Sequence, residues 1–381
     1  MGFSDGWVRP GGRTTSYVKD SPPTLPMIHI FTPSFADDAD SNAQNLSVKE
    51  IVCRLPPEQF RVTMFSDAAP DPRIAARPNT RLLPWHRRGN TVRALAALLR
   101  DVPDVYFFPR EGPLDSAFLS LKNSLFRRTA LVTYIVSGGL YNPGPVRPGL
   151  ARNVRRADVV VGNCKFLSSL ITEKLHVAAS TIYDGIDRRY FFAPKLPPST
   201  EPVVLFAGSF RPYKRALLTV RLAASRANVR FRLAGTGEEE SACRRFVADH
   251  ACANVEFLGH LTSAQLGDEM RRASVFFHPS LLEGHPQVLG QAAACGLPAI
   301  ALNLYRPEFI VHDETGFLAA NDAELDQRLD QLLASPDLRL SMSHKAVELA
   351  RNFDWDEVTA CWAQTFLNAA STKIGGKVQP A

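Results

Sequence analysis

Apolar residues along this chain follow two alternating patterns. Short continuous runs read as buried strands, and longer segments with an apolar residue at every third or fourth position read as helices. The run 27–32 predicts a first strand that opens into a polar turn at 33–42, and a helix over 43–54 and a strand over 60–66 follow. A helix near 91–99 and strands over 105–108, 130–136 and 157–161 continue the alternation. Strand–helix–strand order builds a parallel sheet with helices on its faces. The Gly- and Pro-rich stretch 138–145 then falls at the carboxyl end of a strand, where such sheets bind ligands.

A proline-dense segment at 194–202 reads as a linker, because proline extends the chain and resists packing. Beyond it a second alternation begins, with strands over 203–207, 229–234, 255–258, 275–277 and 299–302. Helices are predicted over 216–226, 238–250, 263–272, 322–333 and 336–352. After the strand ending at Phe277, a turn carrying Glu283, Gly284 and His285 leads into a helix. Pro286 is expected at its first position and Gly296 and Pro298 at its end. The last helix, 355–368, carries Trp355, Val358, Trp362 and Phe366 as one apolar stripe. The fold class is therefore α/β, two doubly wound parallel-sheet domains over 27–193 and 203–352. Residues 1–26 read as a loose extension and the tail from Ser371 as disordered.

Composition refines this picture without changing it. At 381 residues the chain exceeds one ordinary core, and 45% apolar with 22% charged residues is the make-up of a soluble globular protein. No apolar run is long enough to span a membrane, and residues 1–26 lack the apolar core of a secretory signal, so a cytoplasmic location is expected. The six cysteines show no metal-type spacing and are expected as reduced thiols. A net charge of +6 favours anionic partners such as nucleotides, phosphates or an anionic membrane face. The basic groups at 86–88, 127–128 and 152–156 lack the interleaved aromatics of a nucleic-acid platform, so no nucleic acid is expected; peripheral contact with the inner membrane face stays open.

Candidate chemistry gathers where second-half strands turn into helices. Gly208 lets a ligand approach the backbone, and Arg211 and Lys214 supply cations for phosphate oxygens. Gly235 and Gly237 follow the next strand, but Glu238–Glu240 would repel a pyrophosphate, so this is no dinucleotide fingerprint. The helix start after Glu283 offers free N–H groups and a positive dipole end, an anion seat with an acid beside it. Gln291 falls among Val288, Leu289, Ala292 and Ala293 and reads as a buried amide that needs partners, either backbone groups or the hydroxyls of a sugar.

Glu283 and Gln291, eight positions apart, resemble the E-x7-E signature of the large retaining GT-B glycosyltransferase family (group 1 type). The similarity runs over about residues 27–370 and is sharpest over 203–318, including 254–261, Pro307-Glu308 and 313–318. It implies a cleft between an acceptor domain and a nucleotide-sugar donor domain, with the final helix, 354–370, crossing back onto the first. It implies Glu283, Arg211 and Lys214 as the catalytic set, and a donor site that adds Gly208, Ser209, Gly235, Gly237, His260, Leu261, Gly284, His285, Gln287, Val288 and Gln291. On the acceptor side it points to Asn42, Ser137 and Gly138. No cofactor and no metal are expected; the donor is a UDP- or GDP-sugar and the acceptor a glycan, lipid-linked or small molecule. The chain departs from the family at Ser209, where an arginine is usual, at Gln291 in place of the second glutamate, at Pro286 in place of a glycine and at Ser137 in place of a histidine. A sugar-nucleotide epimerase and a catalytically silent nucleotide-sugar-binding protein are the rival readings.

Overall fold

A computed structural model describes residues 27–37, 43–85, 89–109, 111–136, 140, 144–194 and 202–375. The first half builds β1 (Ile28–Phe35), α1 (Ala43–Arg54), β2 (Phe60–Ser66), α2 (Pro72–Ala75), β3 (Thr80–Pro84), α3 (Asn90–Arg100) and β4 (Val105–Phe107). It continues with α4 (Pro113–Leu121), β5 (Ala130–Ile135), α5 (Pro148–Arg156), β6 (Val159–Gly162), α6 (Lys165–Leu175) and β7 (Ser180–Thr181). The strands form one parallel sheet in the order β3-β2-β1-β4-β5-β6-β7. Every residue of β5 is buried, because helices cover both faces of a parallel sheet and its central strands must be apolar throughout.

The second half gives β8 (Val203–Ala207), α7 (Ala216–Ala224), β9 (Arg230–Ala234), α8 (Glu240–Asp249), β10 (Val255–Gly259) and α9 (Ser263–Arg272). Then come β11 (Val275–His278), α10 (Gln287–Ala294), β12 (Ala299–Leu302), β13 (Gly316–Ala319), α11 (Asp322–Ala334), α12 (Pro336–Ala350) and α13 (Trp355–Gly375). Its sheet is parallel in the order β10-β9-β8-β11-β12-β13. In both sheets the strand order reverses beside the first strand, between β1 and β4 and between β8 and β11. The crevice outside the carboxyl ends at such a reversal is the natural ligand position.

Several expectations need correction. β1 reaches Phe35 rather than ending at Thr32, since Ser34 and Ala36 are buried and Ala36 N–H bonds the Phe65 carbonyl at 2.8 Å. Pro286 is the cap before α10, not its first residue. The closing helix does not stop at Asn368. Ala369 and Ala370 are buried, and Lys373 pairs with Asp158 at 2.6 Å, so the helix continues to Gly375.

The chain crosses between the two sheets twice, at one place. Ile186 N–H donates to the Phe353 carbonyl at 2.7 Å, and Ile186 forms a bridge with Asp354. α13 then lies against the first sheet, where Trp355, Val358, Trp362 and Phe366 join one core with Phe60, Phe107 and Tyr134. The Trp362 ring lies 5.0 Å from Phe107 and 4.9 Å from Tyr134, centroid to centroid. Gly185 has no room for a side chain there, since a Cβ would stand 2.3 Å from the Trp355 ring.

Candidate active site

The donor-side candidates leave the carboxyl ends of four adjacent strands. Gly208, Ser209, Arg211 and Lys214 follow β8, Gly235 and Gly237 follow β9, His260 and Leu261 follow β10, and Glu283 to Val288 follow β11. The loops are stitched to one another by backbone. Gly208 N–H donates to Ala234 and Phe210 N–H to Thr236, at 3.0 and 2.9 Å. Gly235 has φ +127°, and a Cβ on it would stand 1.9 Å from the Gly208 carbonyl oxygen. Gly235 thus lets the cationic loop close on its neighbour. On the other side, Leu281 N–H donates to the Tyr213 carbonyl at 2.8 Å, joining that loop to the turn before α10.

Those contacts bring Lys214 and Glu283 together across 69 positions of sequence. Lys214 Nζ lies 2.5 Å from Glu283 Oε1, and His278 Nε2 lies 2.9 Å from the same oxygen. Burial alone would raise the Glu283 carboxyl. The hydrogen bond from His278 and the charge of Lys214 outweigh burial and hold it at about 2, an anion at every physiological pH. The His278 ring is wholly buried, and burial lowers its pKa. Its contact with Glu283 was missed in the sequence, where it falls just past the predicted strand end at Phe277.

The cations divide by use. Arg215, held in a left-handed conformation at φ +62°, grips Asp322 at the start of α11, with Nη1 2.7 Å from Oδ1. Arg211 and Ser209 are exposed, and Arg211 pairs with no carboxylate among the described residues. Arg211 therefore remains available to a ligand beside Lys214.

Gly284, in the turn, is half-buried; beyond it Gln287, Val288 and Gln291 are half-buried along one side of α10, and Leu289, Gly290, Ala292 and Ala293 are buried on the other. The expectation of a buried Gln291 amide is thus overturned. α10 packs against the sheet and α12 on its other sides and leaves the Gln291 side open; this amide makes no side-chain hydrogen bond among the described residues. His285 is turned inward instead, its ring 4.4 Å from Phe309 and 5.5 Å from Tyr183. Burial lowers its pKa to about 4, and its Nε2 has no hydrogen-bond partner among the described residues.

The carboxyl edges of the two sheets face each other. Cys164 Sγ, after β6, approaches the Gly284 carbonyl at 3.7 Å. Glu308, after β12, accepts from the Lys165 backbone N–H at 3.1 Å at the start of α6, and burial raises its carboxyl. On the first-domain side a cavity of about 170 Å³ opens beside the ends of β4 and β5, lined by Phe108, Glu111, Thr133, Tyr134, Arg147 and Asn153 among others. Phe108 adopts φ +60°, a conformation that costs an aromatic residue about 1–3 kcal/mol and collects at functional positions. Asn42, Ser137 and Gly138 lie outside the described residues. Among the described residues no cluster of His, Cys, Asp and Glu is placed to hold a metal ion, and no helix is long and apolar enough to cross a membrane.

Two facing parallel-sheet domains with this topology match solved structures along nearly their whole length. The sucrose-phosphate synthase of Thermosynechococcus elongatus superposes with a TM-score of 0.71 at 17% identity, covering 90% of this chain and 98% of that one. Anabaena HepE, solved in complex with UDP-glucose, superposes with a TM-score of 0.70 at 16% identity, covering 90% and 100%. The fold is GT-B. Residues 187–349 match the family of glycosyl transferases, group 1. That match spans the second half of the GT-B architecture and contains each of the donor-side candidates. An uncharacterized glycosyltransferase of Methanocaldococcus jannaschii is 24% identical over 53% of this chain and 57% of its own. The D-inositol 3-phosphate glycosyltransferase of Streptomyces bingchenggensis is 32% identical over 30% of this chain and 26% of its own. The chain thus matches between about a quarter and somewhat over half the length of these curated relatives.

Proposed function

We propose that the protein is a retaining, metal-independent glycosyltransferase that moves a sugar from a UDP-sugar donor to an acceptor hydroxyl. The observation that carries this reading is the convergence of Lys214 and Glu283 in the crevice beyond β8 and β11, with exposed Arg211 beside them and the start of α10 behind. A uridine diphosphate is favoured by the neighbours of the same fold solved with UDP or UDP-glucose.

In this reading the diphosphate rests on Gly208, Arg211 and Lys214. Glu283 orients the sugar, and Gln291, whose amide keeps an acceptor where the family has a carboxylate, faces the ribose. The bond between the anomeric carbon and the phosphate oxygen breaks with its electron pair leaving on the diphosphate. The acceptor oxygen bonds the same face of the carbon, and its proton passes to the departing phosphate. Fixed cations help most at that moment, because the diphosphate gains charge only as the bond breaks.

Thermal unfolding in the presence of UDP-, GDP-, ADP- and dTDP-sugars tests the donor. A ligand at 100 times its dissociation constant adds about 2.7 kcal/mol. Stabilisation by UDP-sugars is expected, and stabilisation by none of the set would remove the reading. Proton NMR of the product reports the retained anomeric configuration, and transfer is expected to persist in EDTA. An epimerase would instead alter the sugar while leaving it on the nucleotide.

A further inference from the structure

We propose that His278 is a positioning residue for Glu283: a neutral imidazole that fixes the carboxylate through its Nε2–H and keeps it in place when Lys214 turns to the donor. The inference rests on the transferase reading for its kinetic consequence, but its geometry stands by itself.

His278 ends β11, and its ring is enclosed by Phe276, stacked at 6.1 Å, and by Tyr305, edge-on at 6.4 Å. These rings fix its direction, so Nε2 reaches Glu283 Oε1 at 2.9 Å. A carboxylate that is charged at neutral pH only accepts, so the proton on this hydrogen bond belongs to Nε2. Nδ1 is buried and has no hydrogen-bond partner among the described residues. In the neutral ring Nδ1 is then a bare lone pair, whereas in an imidazolium it would be an orphaned N–H in an apolar slot. Burial therefore keeps the ring neutral and leaves one tautomer.

Lys214 and His278 meet the same carboxylate oxygen from different elements, and they differ in freedom. The lysine stands at the end of a flexible stem and is partly open to solvent, whereas the imidazole is closed in. When a diphosphate draws the ammonium away, the lysine contact to Glu283 weakens and the imidazole contact persists. The carboxylate then stays aimed at the crevice, where it meets the sugar. A lysine-only arrangement would release both groups together.

The experiment compares His278→Gln, which keeps an N–H near the Nε2 position, with His278→Met, which fills the slot without a donor. Carbon-detected NMR follows the Glu283 carboxyl, assigned by its loss in Glu283→Gln. Its pKa is expected to rise by about one unit or more in His278→Met and to return toward the wild-type value in His278→Gln. Nitrogen shifts of the wild-type ring are expected to show the Nε2–H tautomer. An Nδ1–H tautomer, or a Glu283 pKa unmoved in His278→Met, would overturn the proposal. With UDP-glucose as the probe, kcat is expected to fall about 10- to 100-fold in His278→Met, the range of a hydrogen bond to a charged group. UDP affinity is expected to stay unchanged, and His278→Met to cost nothing further in a Glu283→Ala background. Losses that add in the double variant, or a matching loss of UDP affinity, would mark His278 as merely structural. If UDP does not bind the wild-type protein, the transferase reading fails, and the carboxyl and tautomer measurements still decide the role of His278.

Discussion

Replacing Glu283 with glutamine tests the electrostatics of the crevice without any substrate. Glutamine has the shape of glutamate but none of its charge, so it imitates the protonated acid and leaves Lys214, whose side chain is 16% exposed, without a counter-ion. Holding the carboxyl at about 2 instead of 4.5 corresponds, at about 1.36 kcal/mol per unit, to about 3 kcal/mol of stability for the charged form. The folded-state pKa lies below the unfolded one, so this contribution is fully present above pH 4.5 and is lost as pH falls toward 2. By pH 3.5 about 1.4 kcal/mol of it is gone. Urea unfolding followed by circular dichroism is therefore expected to place the midpoint of Glu283→Gln about 1 M or more below wild type at pH 7. The gap should narrow by nearly half at pH 3.5. A variant that unfolds with wild type at pH 7, or whose deficit is as large at pH 3.5, would refute the reasoning.

Other expectations follow from single contacts. Lys214→Ala removes one charge-assisted contact to the diphosphate and should weaken UDP binding by about tenfold in calorimetry; it also leaves the Glu283 carboxylate with the His278 contact alone and should lower the urea midpoint at pH 7. Gly235→Ala drives a methyl group into the Gly208 carbonyl at a positive φ and should abolish UDP binding while lowering the melting temperature. Trp362→Ala empties a fully buried site between α13 and the first sheet and should cost about 3–5 kcal/mol, read from denaturant unfolding, with UDP affinity retained. Gln291→Leu keeps the bulk of the side chain without its amide and should weaken UDP binding in calorimetry, while leaving the melting temperature within about 1–2 °C of wild type, because the side is already half-open to solvent.

β8, β11 and β12 were legible because central parallel strands buried on both faces are apolar with almost no interruption. The predicted ends of β8 and β12 coincide with the observed ones. α4, α5 and α6 were not legible in the sequence, because they are short and follow Gly112, Arg147 and Cys164 rather than a Ser, Thr, Asp or Asn cap. β13 is short and follows a charged turn, and its neighbour β12 rather than its own residues makes it a strand. Glu283, Arg211 and Lys214 could be named from their place after strands. Their pairing could not, because 69 positions separate Lys214 from Glu283 and the backbone bond between Leu281 and Tyr213 closes the gap. Gln291 was misjudged for a related reason. Composition around a helix shows which residues are apolar but not which side lacks a neighbour.

The return of α13 to the first sheet has a consequence for how the chain is made. The strands of that sheet are complete once residue 181 has been synthesised, yet the aromatic face that Trp355, Trp362 and Phe366 will cover waits for the whole second domain. At about 5–20 residues per second the delay is roughly 10–35 s. Throughout it, Phe60, Phe107 and Tyr134 lack the cover that α13 gives them in the finished protein. The nascent first domain is therefore at its stickiest while the ribosome is occupied with the second, and the last helix ends that exposure in one step.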